Sequence, residues 1–187
     1  MKIFFKSLNI LNEEELNQVE NLCSIRFVKK GGYLIKEGSI SKEIFLIKKG
    51  ALRLFYTNSA GNEITSCLAF DNEMISAYAS FITESQTEEN IQAVSDSEIV
   101  LLKKHDLDFL YKQGTVWQKV GRIIAEMHYI ELTKKIVSFQ KDTAKERYNQ
   151  LLQKHPEYIQ VIPQHQLASL LGITPRHLSR LKKEVCK

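Results

Sequence analysis

Several polar and basic side chains lie close together near the end of the sequence, in the stretch QHQLASLLGITPRHLSRLKKE, residues 164–184. Guanidinium and ammonium groups bind phosphate oxygens, and an Arg can also contact both the O6 and the N7 of a guanine. A cluster of these side chains on one helix is typical of a surface that binds a polyanion and reads its bases. The members of the cluster are Arg176, His177, Ser179, Arg180, Lys182 and Lys183.

The same stretch carries the apolar pattern of two short helices joined by a turn. Gly172 falls at the end of the first helix, at a position whose positive φ Gly adopts easily. Thr174 can cap the next helix, and Pro175 suits its first turn. The side chains that would form the buried face are Leu167, Ala168, Leu171, Ile173, Leu178 and Leu181. The pattern therefore predicts a helix-turn-helix, although two terminal helices with a solvated lysine face are the simpler alternative.

Within this motif we predict two kinds of DNA contact. Arg176, His177 and Arg180 belong to the N-terminal half of the second helix, which enters the major groove in helix-turn-helix proteins. Lys182 and Lys183 come further along and are expected to contact phosphates, as are Thr174 and Ser179.

The distribution of charge supports a polyanion partner for the second half of the chain. The 187 residues have a formal net charge of +4. Residues 1–100 carry 10 basic and 14 acidic side chains, whereas residues 101–187 carry 16 and 8. This asymmetry indicates a neutral or acidic module joined to a basic one.

The first half of the chain has the pattern of an all-β module that follows one short helix. Asn12 and three Glu residues begin the predicted helix 12–22. Short runs rich in β-branched and aromatic residues then alternate with Gly and Asn turns, which favours an antiparallel roll or sandwich. The predicted strands are Ser24–Lys30, Tyr33–Gly38, Glu43–Gly50, Ala51–Thr57, Glu63–Phe70, Asn90–Ser95 and Ser97–Lys103.

After residue 105 the period becomes helical again. A short helix ends at Gly114, and Thr115–Phe139 forms about six turns without Pro. This long helix has two apolar stripes, more than one contact requires, so we expect it to pack on the roll and also to pair with a second copy. One helix packed on the roll, without self-association, is the simpler alternative. The residues expected in the dimer seam are Val116, Val120, Ile123, Met127 and Ile130.

A break at residues 140–142 separates the long helix from the DNA-binding part. Thr143 and Glu146 have the spacing of a capping box, which starts the next helix. The predicted organisation is therefore a sensor-like domain at 1–114, made of a β-roll with flanking helices, a long dimerisation helix at 115–139 and a helix-turn-helix DNA-binding domain at 143–187.

Other chemistries lack the residues they need. The three cysteines, at 23, 67 and 186, form no CxxC pair, so we expect inert thiols and no disulfide framework. None of the five histidines lies in the predicted roll, which argues against a cupin-type metal enzyme. With no phosphate-binding Gly-rich loop and no nucleophile–base arrangement visible, we expect no enzyme activity, metal or cofactor.

The sequence also lacks the features of a membrane or exported protein. No apolar run approaches the roughly 20 residues that cross a bilayer. Acidic residues follow the first apolar stretch at once, without a small-residue cleavage site, so we expect an unprocessed cytoplasmic protein.

The arrangement of these elements resembles the Crp/Fnr family of bacterial transcription regulators. A β-roll with Gly turns, a long helix, TAKERYNQLL and PQHQLASLLGITPRHLSRLKKE carry the resemblance, which is strongest over residues 143–184. It implies an α+β fold, with an N-terminal antiparallel, jelly-roll-like sensor domain of the cyclic-nucleotide-binding kind. A long helix would join a homodimer, and a winged helix-turn-helix would bind double-stranded DNA. Arg180 stands where the family commonly places a base-reading Arg, and RNA polymerase is the implied partner.

The predicted roll departs from the cyclic-nucleotide pattern at the expected ligand site. Family members that bind cyclic nucleotides carry a Gly-Glu pair for the ribose and an Arg with Ser or Thr for the phosphate. An ungapped match puts Ser76 and Ala77 at the first pair and Thr87 and Glu88 at the second. Because Glu88 and Glu89 would repel a phosphate, we expect a regulator that does not respond to cAMP. The alternative is a module that senses a cyclic nucleotide or another small ligand, with a vestigial helix-turn-helix. The effector stays unidentified.

Overall fold

The computed structural model describes residues 1–185, apart from the side chains of residues 157, 158 and 185, and it begins with two helices. These are α1 (Lys2–Ser7) and α2 (Glu13–Leu22). The Asn12 side chain accepts a hydrogen bond from the Glu15 N–H at 2.9 Å, and the Glu15 carboxylate accepts one from the Asn12 N–H at 2.8 Å. This capping box starts α2 where the sequence predicted. Cys186 and Lys187 lie outside the described residues, so the prediction for the Cys186 thiol is not tested.

Eight strands and one short helix follow and form the β-roll. They are β1 (Ser24–Val28), β2 (Tyr33–Ile35), β3 (Glu43–Lys49), β4 (Leu52–Thr57), β5 (Glu63–Ala69), β6 (Met74–Ile75), α3 (Tyr78–Thr83), β7 (Glu89–Ala93) and β8 (Ser97–Lys103). The strands pair antiparallel in two four-stranded sheets, with orders β1-β8-β3-β6 and β2-β7-β4-β5. All seven predicted strands are confirmed, whereas β6 and α3 have no counterpart in the prediction.

The interior of the β-roll is packed with aliphatic and aromatic side chains from both sheets. Phe45 on β3 lies opposite Leu101 on β8, and both are almost fully buried. Leu52, Ile91 and Ile99 are likewise buried in the same cluster. Alternation along β3 and β8 places Phe45, Ile99 and Leu101 inside the roll.

Two helices follow the β-roll along the chain. They are α4 (Lys104–Gln113) and α5 (Thr115–Lys141). We expected α5 to end at Phe139, but it continues for two residues because Asp142 caps it. The Asp142 N–H donates to the Ser138 carbonyl at 2.9 Å, and the Ser138 hydroxyl donates to the Asp142 carboxylate at 2.6 Å. No helix in residues 1–185 is long and apolar enough to cross a membrane.

The last part of the chain is helical throughout the described residues. It contains α6 (Ala144–Lys154), α7 (Pro156–Ile159), α8 (Gln164–Leu170) and α9 (Pro175–Val185). The predicted capping box is present, since the Thr143 hydroxyl accepts from the Glu146 N–H at 3.2 Å and the Glu146 carboxylate accepts from the Thr143 N–H at 2.7 Å.

The wing that we expected for this domain is not confirmed in the part of it that the structure describes. Residues 144–185 contain no strand. Pro156 and Pro163 bracket the segment between α6 and α8, and neither has an N–H to donate to a strand ladder. The first of them begins the short helix α7 instead.

A third apolar cluster joins the helical domain to the β-roll. It combines the roll residues Ala51, Leu68, Phe70 and Val94 with helical residues that include Leu167 and Leu178. At its edge the Thr65 N–H of β5 donates to the Ser169 hydroxyl of α8 at 2.9 Å. The helix-turn-helix therefore packs directly against the outer face of the second sheet.

This shared cluster leads to a stability prediction. Leu167→Ala should lower the free energy of unfolding by about 2–5 kcal/mol, because Leu167 is fully buried and the substitution leaves a cavity. Urea denaturation measures the change. Val161→Ala, at a position 46% exposed in the same domain, is the matched control and should cost much less. Equal losses for the two variants would contradict the packing described here.

Candidate nucleic-acid interface

The turn between α8 and α9 is fixed by two backbone hydrogen bonds. The Gly172 N–H donates to the Ser169 carbonyl and the Ile173 N–H to the Ala168 carbonyl, both at 3.0 Å. These bonds form a Schellman motif, and Gly172 adopts a φ of +68°. A Cβ at this position would also lie 3.0 Å from the Phe139 ring. The predicted role of Gly172 is confirmed.

The second helix begins as the sequence indicated. The Thr174 hydroxyl accepts a hydrogen bond from the His177 N–H at 3.2 Å, and the Thr174 carbonyl accepts the first helical bond from Leu178 at 3.0 Å. Pro175 is the first residue of α9. A rigid turn and a capped start fix the direction in which α9 presents its outer side chains.

The two faces of α9 differ sharply in chemistry. Leu178 and Leu181 are buried and hold the helix against α8 and the rest of the domain. Four side chains lie exposed at spacings of three, one and three residues, which places them on one face. They are Arg176, Ser179, Arg180 and Lys183. Three of the four carry a positive charge, so this face, which we call the basic face, is suited to phosphate and to guanine edges.

The remaining residues proposed to contact DNA lie beside the basic face. Thr174 is exposed at the start of α9, although its hydroxyl already accepts the capping hydrogen bond. His177 and Lys182 are half-buried and flank the basic face. The structure thus brings all seven predicted residues to one helix and its cap, with the best exposure at Arg176, Ser179, Arg180 and Lys183.

The five residues predicted for the dimer seam do not share one environment. Val120 is fully buried in the cluster formed by α1, α2, α4 and the β-roll, and Val116 packs against the same cluster. Val120 is therefore not accessible to a seam, because it is covered within the protomer, whereas Val116 stays partly exposed. Ile123 is half-buried. Met127 and Ile130 are 44% and 50% exposed, so they are accessible to a partner.

The exposed apolar surface of α5 continues beyond the predicted seam. Further large apolar side chains are exposed towards the end of the helix, namely Tyr129, Leu132, Ile136, Val137 and Phe139. An exposed row of this length on one helix is unusual for a surface that faces only water.

Three of the four candidate ligand positions in the β-roll are engaged in contacts within the chain. The Ser76 hydroxyl donates to the Glu43 carbonyl at 3.2 Å, and Ala77 is fully buried in the roll interior. The Thr87 hydroxyl accepts from the Glu89 N–H at 3.0 Å, while Glu88 is exposed. These positions therefore offer no cation to a phosphate. The carboxylates of Glu88 and the neighbouring Glu89 would repel one.

The short helix α3, which lies between the two pairs of candidate ligand positions, is in contact with α5. The ring of Tyr78 lies edge-on to the ring of His128, with centroids 5.0 Å apart. Burial raises the pKa of the Tyr78 phenol and lowers the pKa of the His128 imidazole, so both groups are uncharged at neutral pH. Two neutral rings thus connect the candidate ligand region to the long helix.

The architecture can now be compared with known proteins. Residues 25–113 match the family model described as the cyclic nucleotide-binding domain. These residues form a cyclic nucleotide-binding domain. Over 91% of this chain and 81% of the relative, the sequence is 24% identical to the cyclic AMP receptor protein of Thermus thermophilus.

Solved structures extend the similarity beyond the cyclic nucleotide-binding domain. FixK2 from Bradyrhizobium japonicum superposes with a TM-score of 0.75 at 13% identity, over 87% of this chain and 84% of that one. A regulator of the Crp/Fnr family from Eubacterium rectale superposes with a TM-score of 0.71 at 22% identity, over 97% and 86%. The resemblance to Crp/Fnr regulators inferred from the sequence is confirmed, and at these identities the structural matches establish the fold.

Two residues that position the interface were missed in the sequence. Arg147 on α6 donates to the Asp142 carbonyl at 2.6 Å and to the Leu171 carbonyl at 2.8 Å, and its guanidinium stacks 4.7 Å from the Phe139 ring centroid. It therefore ties the end of α5 to the turn of the helix-turn-helix.

The second missed residue is Gln164, at the start of α8, whose side chain donates to the Pro175 carbonyl at 3.0 Å and to the Ser179 hydroxyl. Neither Arg147 nor Gln164 carries a signal in the sequence, because each acts through carbonyls or a hydroxyl on distant segments. Both lie on the helical domain rather than on the cyclic nucleotide-binding domain.

Proposed function

We propose that this protein is a dimeric, sequence-specific DNA-binding transcription regulator of the Crp/Fnr type that does not respond to cAMP. The observation that carries the proposal is the basic face of α9, which stands exposed on a helix whose opposite side is buried. A solvated lysine face would not require the Schellman turn, the capped helix start and the small Ala168 together. We propose a regulator rather than an enzyme, acting in the cytoplasm.

We propose one role for each of the three predicted parts of the chain. Residues 1–114 form the sensor-like unit, the long helix that begins at 115 joins two copies, and residues 143–187 bind double-stranded DNA. RNA polymerase is the partner through which such a regulator would act, as the similarity to Crp/Fnr regulators suggests.

Selection of bound fragments from random double-stranded DNA tests the function. We expect one enriched sequence motif, because the exposed arginines of α9 can discriminate between base edges. Repeating the selection with a cell metabolite extract asks whether an effector changes the affinity. Recovery of fragments without any shared motif would contradict sequence-specific binding.

We further propose that the cyclic nucleotide-binding domain does not bind cAMP usefully. A buried cyclic phosphate needs a cation or converging N–H donors, whereas this chain offers Thr87 beside two Glu residues. Titration calorimetry should give no resolvable heat of cAMP binding. The cyclic AMP receptor protein of Thermus thermophilus is a suitable positive control.

A micromolar dissociation constant for cAMP would overturn that proposal. It would favour the second candidate function, a module that senses a cyclic nucleotide or another small ligand and whose helix-turn-helix is not the main active part. The match of residues 25–113 to the cyclic nucleotide-binding domain is the observation in its favour.

A further inference from the structure

We propose that Gln164 is a positioning residue that orients the Ser179 hydroxyl to donate a hydrogen bond towards DNA. This inference rests on the proposed function, because it concerns how the basic face recognises the duplex. It adds to that face a residue from α8 that touches neither the arginines nor the lysines of α9.

The orientation of the Gln164 amide is fixed by its surroundings. The Pro175 carbonyl can only accept a hydrogen bond, so the amide atom 3.0 Å from it must be the nitrogen. The second hydrogen of that nitrogen points at the Ser179 oxygen, with which it also makes a hydrogen bond. Both donors of the Gln164 amide are therefore used within the protein.

This arrangement determines what Ser179 can do. Its oxygen accepts from Gln164 with one of its two lone pairs, which directs the hydroxyl hydrogen away from Gln164 and towards an external acceptor. Ser179 is exposed on the same face as Arg176 and Arg180, so that partner lies on the DNA side of the helix. A hydroxyl held in this state matches acceptors, such as guanine O6 and N7, adenine N7, thymine O4 or a phosphate oxygen.

The proposal therefore predicts that Gln164 and Ser179 act as one unit. Without Gln164 the hydroxyl can rotate and point its hydrogen elsewhere, so the contact loses its fixed polarity. Without Ser179 the Gln164 amide has nothing to orient. Removing either partner should cost the same interaction, and removing both should cost no more.

The test uses the full-length protein and the sequence that the selection enriches. Affinities for that sequence, its single-base variants and unrelated DNA are measured for wild type, Gln164→Ala, Ser179→Ala and the double variant. Each single variant should lose about fivefold in affinity, the size of one hydrogen bond, and the double variant should lose about the same. His165→Ala is the matched control, because His165 is an exposed neighbour on the same turn of α8. This variant should bind the same DNA with wild-type affinity.

The pattern of losses identifies the DNA group. Losses confined to one base pair in each half-site indicate a base acceptor, and equal losses on all sequences indicate a phosphate oxygen; either supports the donor role. Multiplicative losses in the double variant, or no loss in either single variant, would overturn it. If the wild-type protein has no preferred sequence, the proposed function itself fails, which is a distinguishable result.

Discussion

Met127→Lys combined with Ile130→Lys should convert the protein to a monomer that no longer binds its operator at concentrations where wild type does. Both side chains are exposed on α5, at 44% and 50%. In a symmetric pair of these helices each substitution would place like charges opposite one another, which costs several kcal/mol. Because neither residue is buried in the protomer, the fold of each copy should survive.

Sedimentation at micromolar concentration measures the association state. Ile82→Lys on α3, at a position 56% exposed in the β-roll, adds a positive charge outside α5 and should leave the dimer intact. A wild-type protein that sediments as a monomer would contradict the dimer proposal, and so would a double variant that stays dimeric.

Arg180→Ala should weaken binding mainly to the preferred sequence and relax one base position in each half-site. A bidentate contact of Arg with guanine is worth about 1–3 kcal/mol of discrimination, or roughly 5- to 150-fold. Arg180 is suited to this contact because it is exposed in the middle of the basic face, between the capped start of α9 and Lys183.

Lys183→Ala is the matched comparison on the same face. A phosphate contact carries no sequence information, so this change should weaken binding to all sequences alike. It should also reduce the slope of log affinity against log salt by about one unit for each half-site. If Arg180→Ala left affinity and sequence preference unchanged, the orientation proposed for α9 on DNA would be wrong.

The elements that could be predicted are those with a clear local signal. The seven longer strands follow from runs of β-branched and aromatic residues between turn residues, and the helices α2, α4, α5 and α6 follow from spacing and caps. α1 and α3 have six residues each and β6 has two, so they are too short for a period to be recognised. They form because the core receives Phe5 from α1 and Phe81 from α3.

The assignment of Val120 to the seam failed for a different reason. An apolar row shows which face of a helix is covered, but it does not show what covers it. The row along α5 continues from a part buried by the β-roll into a part exposed to solvent, without a change of period. Only the packing of Trp117 and Val120 against the β-roll shows where the first surface ends.

In the candidate interface, the turn could be predicted from the sequence, but the contacts between the helices could not. Gly172, Thr174 and Pro175 are local signals, since each acts on its own backbone, and the structure confirms all three. The contacts of Gln164 and Arg147 join residues 5 to 24 positions apart on different elements, so they depend on how the helices pack.

The symmetry of the selected operator tests the central claim most directly. A two-fold dimer that reads DNA with α9 should enrich an inverted repeat whose half-sites are centred about 34 Å apart, one helical turn of DNA. One dimer should bind each such site, and removal of either half-site should sharply reduce affinity. A single asymmetric site bound by one copy of the chain would contradict the account.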